Sequence, residues 1–124
     1  MNIGKTGSCG ENSAADFLKS KGYKIVARNY QTRYGELDIV CKDSRYIVFA
    51  EVKTRSANYM VSGREAVNIG KQNRIIKSAM IFLQQNECDL QPRFDVIEII
   101  VNGGHEEIVH IENAFTADKY RGFC

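Results

Sequence analysis

Asp38, Glu51 and Lys53 are the residues of this sequence whose types and spacing can do chemistry. They sit in "GELD" and "FAEVKT", two stretches otherwise built from Leu, Ile, Val, Phe and Ala, where full charges are out of place. Burying an unpaired carboxylate costs several kcal/mol even after relaxation, so these charges need a reason. Two carboxylates that converge without enough neutralising charge repel, and one of them takes up a proton unless a cation intervenes. Oxygen ligands of this hard type select magnesium or manganese rather than zinc, and magnesium keeps several waters while binding one or two carboxylates plus substrate phosphate. Such an ion acidifies a bound water and stabilises charge on a phosphodiester, while an adjacent ammonium such as Lys53 orients the nucleophile. The plain structural alternative is an ion-pair cluster at the end of a sheet.

Positioning these groups falls to a hairpin. Side chains alternate across a strand, so Glu51 and Lys53 share a face with Phe49. The run "GELDIVCKDSRYIVFAEVKT" reads as two apolar strands around a turn at Lys42 to Arg45. Centring the turn between Asp43 and Ser44 puts Glu36 opposite Glu51 and Asp38 opposite Phe49. Asp38 is then diagonal to Glu51, roughly 7 to 8 Å away at Cα, within reach of one shared cation. A slip of one residue would send Asp38 to the other face. Glu36 is expected in a structural or outer role. Upstream, Glu11, Ala14, Ala15 and Leu18 form one helical face that Gly22 terminates, followed by a strand from Tyr23 to Tyr30. Docked over the acids, this helix would bring Glu11 to the outer shell of the metal. Downstream, a polar loop from Arg55 to Gly63 leads to a helix starting near Arg64 or Ile69 and ending at Gln85. Ile69, Gln72, Ile76, Ala79, Met80 and Leu83 share one face of it. "RFDVIEIIV" and "EIVHI" flank Asn102-Gly103-Gly104 as a further strand pair. The order α-β-β-β-α-β-β describes an α/β fold, a mixed sheet flanked by helices.

The chain has 124 residues, a length suited to a single domain spanning 1–124. No apolar run has the length of a membrane span and no secretory signal opens the chain, so a cytoplasmic protein with no membrane partner is expected. Cys9, Cys41, Cys88 and Cys124 are scattered, without zinc-finger spacing, and read as reduced thiols. Net charge is only +2, yet Lys53, Arg55, Arg64, Lys71, Arg74 and Lys77 face a single acid, Glu65, in one stretch. Such a run is a solvated face or a surface that meets phosphates. "GKTG" at residues 4 to 7 lacks the upstream glycine and strand of a phosphate-binding loop. His105 and His110 would face opposite sides of a strand, and a turn or strand-end hydrogen bond accounts for Asp95.

"GELD" followed by "EVK" resembles the metal-dependent PD-(D/E)XK nuclease core, with its restriction-endonuclease-like fold. The wider set "GSCGENSAADFLKSKGYKIVARNY", "VFAEVKTR", "KQNR", "RFDVIEI" and "HIENAF" resembles the small bacterial YraN-type family, related to archaeal Holliday junction resolvases. That resemblance implies Asp38, Glu51 and Lys53 as the catalytic set, with Glu11 as the helix acid and Gln72 as the polar residue of the following helix. Gln31 departs from the pattern, standing where many relatives carry Arg. The expected activity is a magnesium- or manganese-dependent endonuclease acting on DNA, branched or otherwise structured. Asp38, Glu51 and the backbone carbonyl of Val52 would hold the metal, and Arg55, Arg64, Lys71 and Arg74 would meet the nucleic acid. Resolvase chemistry cuts two symmetry-related strands, so a homodimer is expected of it. The competing readings are a nucleic-acid-binding module of the same fold that does not cut, and a protein-interaction domain that keeps the acids for stability.

Overall fold

The computed structural model describes residues 4–57 and 67–117. Helix α1 (Gly4–Ser20) precedes strands β1 (Lys24–Thr32), β2 (Gly35–Lys42) and β3 (Tyr46–Ser56). Helix α2 (Ile69–Gln85) and strands β4 (Gln91–Asn102) and β5 (His105–Phe115) complete the order α-β-β-β-α-β-β. The five strands form one mixed sheet in sequence order, antiparallel except for β3 beside β4. A parallel pair needs a crossover, and α2 supplies it.

The central strands are buried on both faces, which is why they read as nearly continuous apolar runs. Ala14, Ala15 and Leu18 of α1 pack with Ile39, Val48, Ile97 and Ile99 on one face. Ile75, Ile76, Ala79 and Phe82 of α2 pack with Val40, Phe49, Phe94 and Val96 on the other. Gly22, at φ 97°, ends α1 as its position after the last apolar residue predicts. Gly10 sits so close to β3 that a Cβ there would meet Thr54 Oγ1 at 2.5 Å.

Three expectations are corrected. The turn after β2 is centred one residue later, between Ser44 and Arg45, because the Asp43 Oδ1 accepts from the Arg45 and Tyr46 N–H groups, each at 2.8 Å. Val40 therefore pairs with Phe49 and Ile39 with Ala50, the last pair of the ladder, so this register carried one step further would set Asp38 opposite Glu51 rather than diagonal to it. Within the paired residues the shift is an even step, so Val40 and Phe49 stay on one face. Second, Arg55 lies in β3, not in a loop, because β4 offers ladder partners as far as Ser56 with Val101. Third, Ile69 is 66% exposed at the first turn of α2, ahead of the apolar face that begins at Ile75.

Candidate active site

Strand pairing creates the site by stopping. The pairing of β2 with β3 runs from Lys42/Ile47 only to Ile39/Ala50, whereas β2 stays with β1 to Gly35 and β3 stays with β4 to Ser56. The sheet thus forks, and the acids line the fork. Leu37 packs with the α2 core and Ile39 with the α1 core, so strand alternation breaks at Asp38. Asn29, on the neighbouring strand, adopts φ 52° close to this break. The freed Val52 N–H donates to Asp38 Oδ2 at 2.9 Å, so a carboxylate takes the place of a backbone carbonyl.

Glu51 is buried, with 4% of its surface exposed. Its Oε2 accepts from Lys71 Nζ at 2.9 Å and lies 3.5 Å from Lys53 Nζ. One carboxylate oxygen from each of Glu11, Glu36 and Asp38 lies within 4.8 Å of the others. Gln31 donates to Glu36, and Asn29 bonds to Glu11. Burial, then the Glu51 charge, pushes the Asp38 carboxyl up to about 7 against the lowering effect of the Val52 N–H. Glu11 is also raised, by burial first and then by Glu36. The fork is therefore short of positive charge. Its donors are hard oxygens from two strands and a helix, a set that fits magnesium or manganese.

Helix α2 supplies the opposite wall. Asn68 caps it by accepting from the Lys71 N–H at 2.9 Å, which fixes the turn carrying Lys71. A cation in a first turn opposes the helix dipole, and no acid is present in that turn to relieve it. Lys71 is compensated from outside the helix by Glu51. Burial would lower the Lys71 ammonium's pKa, but the hydrogen bond and charge of Glu51 outweigh this and raise it. Lys71, Arg74, Ile75 and Ser78 face Glu36, Asp38 and Glu51 across a cavity of about 180 Å³. Ser78 is tied to Thr32 by an Oγ–Oγ1 contact of 2.7 Å, which closes the floor between α2 and the β1–β2 turn.

Asp38, Glu51, Lys53 and Glu11 are thus brought together, with Val52 joining through its N–H, and Lys71 and Arg74 line the same cavity. Gln72 turns its amide to the Val67 carbonyl at 2.8 Å, bracing the start of α2. Arg55 forms a two-pronged pair with the buried Glu98, at 2.8 and 3.3 Å. Arg64 lies outside the described residues. Lys71 as the closer partner of Glu51 was not foreseen, although its place against the helix dipole is a signal that could have marked it. Asp95 is no strand-end residue: it is fully buried and bonded to Arg93, His110 and the Asn113 N–H. His105 is exposed and His110 faces Asp95, so the two do not converge.

Among the described residues no helix is long and apolar enough to cross a membrane, and Cys41 and Cys88 are free thiols. Residues 10–99 match the sequence family described as uncharacterised protein family UPF0102. A UPF0102 protein of Syntrophomonas wolfei is 46% identical over 110 residues, covering 88% of this chain and 96% of the relative. One from Clostridium botulinum strain 657 is 44% identical over 113 residues, 88% of this chain and 92% of its own. A third, from Caldanaerobacter subterraneus, is 40% identical over 119 residues, 93% and 98% of the two chains.

Proposed function

The chain belongs to the uncharacterised protein family UPF0102, the YraN-type family that its motifs resemble, and from the chemistry of its forked sheet we propose that it is a metal-dependent endonuclease acting on DNA. The observation that carries this reading is the under-neutralised Asp38, converging with Glu51 in a fork beside a cavity whose other wall is cationic.

Asp38 and Glu51 would hold one magnesium or manganese ion, with the Val52 carbonyl completing the protein's share and Glu11 and Glu36 in reach of its waters. The bound ion would supply an acidified water and charge stabilisation at the phosphorus. Lys53, anchored against Glu51, would orient that water and offset developing negative charge. Lys71 and Arg74 would grip phosphate oxygens from the helix side, and salt should weaken that grip as counterions compete. The preferred substrate is branched or otherwise structured DNA, cut by a homodimer in the cytoplasm.

The test is direct. With magnesium or manganese, the purified protein should nick a panel of duplex, flap and four-way DNA, and Glu51→Ala and Lys53→Ala should each abolish the cutting. Cutting that survives both substitutions overturns the assignment. Salt-sensitive DNA binding without cutting, with or without metal, would instead identify a non-catalytic nucleic-acid-binding module of the same fold.

A further inference from the structure

Glu51 Oε2 is approached by two ammonium groups, Lys71 Nζ at 2.9 Å and Lys53 Nζ at 3.5 Å. The Glu51 side chain is 5% exposed, whereas that of Lys71 is 37% exposed. Asn68 holds the Lys71 backbone in the first turn of α2, so movement of this residue belongs to its flexible four-carbon stem and not to the helix. An oxygen that accepts a short N–H bond cannot give the same lone pair to a divalent cation, and an ammonium repels a dication at such range. The Lys71 ammonium need not leave the cavity when displaced, because Lys71 and Arg74 line it together with Glu36 and Asp38.

We infer that Lys71 is a resident counter-ion of Glu51: an incoming divalent cation displaces its ammonium from Oε2, and the freed ammonium turns to the phosphate of the substrate. This rests on the metal-site reading above. Lys53 lies farther from the shared oxygen and is carried by the strand, so the exchange falls to Lys71. Metal and phosphate then assist each other, since the ion that takes Glu51 also releases a phosphate-binding group, and the coupling must be reciprocal.

Calorimetric titration with Mn2+ alone tests the first half. Lys71→Gln should bind Mn2+ about five-fold tighter or more than the wild type. Lys71→Arg, which keeps the charge, should stay near the wild-type value, and Arg74→Gln should shift it by less than about two-fold, because its charge acts only through the screened field of the cavity. Equal tightening in Lys71→Gln and Arg74→Gln, or none in the former, overturns the counter-ion role while leaving the metal site standing. Absence of Mn2+ binding in all four proteins overturns the metal site itself. For the second half, Ca2+ should strengthen the wild type's binding of a short DNA duplex by several-fold, and Lys71→Gln should lose that gain. A gain kept in full by Lys71→Gln overturns the handover to phosphate.

Discussion

The sequence contains two pairs of opposite charges spaced two residues apart on neighbouring strands, "EVK" in β3 and "RFD" in β4, and they meet opposite fates. Asp95 is fully buried and completely satisfied. Its Oδ1 accepts from Arg93 Nε at 2.9 Å and the Asn113 N–H at 3.0 Å, and its Oδ2 from Arg93 Nη2 at 2.8 Å and His110 Nε2 at 2.6 Å. Lys21 bonds to the other ring nitrogen of His110, and Tyr23 takes a further bond from Arg93. Asp38, by contrast, accepts from the Val52 N–H and shares a hydrogen bond with Glu51, whose charge stands beside it. Burial would raise the Asp95 carboxyl, but the His110, Arg93 and Asn113 donors outweigh it and hold the group below its ordinary value. Burial and then the Glu51 charge raise Asp38 to about 7, because the single Val52 N–H does not outweigh them. The difference teaches that burial alone does not decide how an acid ionises; the donors and charges brought to it do. One acid belongs to a finished structural network and the other to a site short of donors, where the proposed cation would bind.

Breaking the finished network should have the largest effect. Asp95→Ala leaves the Arg93 guanidinium buried without its carboxylate and removes the acceptor that holds Asn113 in its bulge. It should lower the unfolding free energy by about 3 to 5 kcal/mol, the scale for removing one partner of a buried pair, as read from urea denaturation. Mn2+ affinity measured in the folded protein should stay unchanged. A loss of stability below 1 kcal/mol in this variant would break the contrast.

The fork should answer with the opposite sign. Asp38 has a folded pKa of about 7 against an ordinary 3.8, so the metal-free native state binds a proton there that the unfolded chain has already released. Its contribution is therefore fully present at low pH and is lost as pH rises through the folded value, between about 4 and 7. Asp95 works the other way, adding stability above 3.8 that disappears as pH falls through its lowered native value. Asp38→Asn keeps an oxygen for the Val52 N–H and removes the charge. At pH 8 and without metal it should stabilise by about 1 to 2 kcal/mol, well under the ~4 kcal/mol ceiling set by the full shift, and it should flatten the pH 4 to 7 segment of the stability profile. Saturating Mn2+ should stabilise the wild type at pH 8 and do little for Asp38→Asn. A profile that rises from pH 4 to 7 in the metal-free wild type would contradict the charge deficit at the fork.

Much of this was legible from local sequence, for stated reasons. The alternation around Glu51 and Lys53, the apolar faces of both helices and the turn glycines are properties of short segments, and they gave the elements and their order. The centre of the β2–β3 turn depends on the Asp43 side chain taking two backbone donors, a competition that apolar patterning does not encode. The fork was invisible because it is a disagreement between strands: β2 follows β1 while β3 follows β4. Lys71 and Asp95 were underread for a related reason. Their partners stand far away in sequence, Glu51 for the first, and His110 and Asn113 for the second. Arg93, two residues from Asp95 on the same strand, carried the same spacing signal as Glu51 and Lys53 and could have flagged the network.

The smallest expected effect tests where the fork ends. Glu11 reaches the acids from α1, and its carboxyl is raised by burial and by Glu36, although Arg28 and Asn29 oppose the rise. It is only half-buried, so solvent screens most of this repulsion. Glu11→Gln should then stabilise the metal-free protein at pH 8 by a few tenths of a kcal/mol, far less than Asp38→Asn, and the gain should shrink in high salt. The same substitution should weaken Mn2+ binding by two- to five-fold, because a carboxylate acting through bound waters adds less than one that touches the ion, roughly a surface pair's worth of energy. Loss of Mn2+ binding as complete as in Asp38→Asn would move Glu11 into direct contact with the ion and shift the centre of the site from the Asp38–Glu51 edge to the Glu11–Glu36–Asp38 cluster.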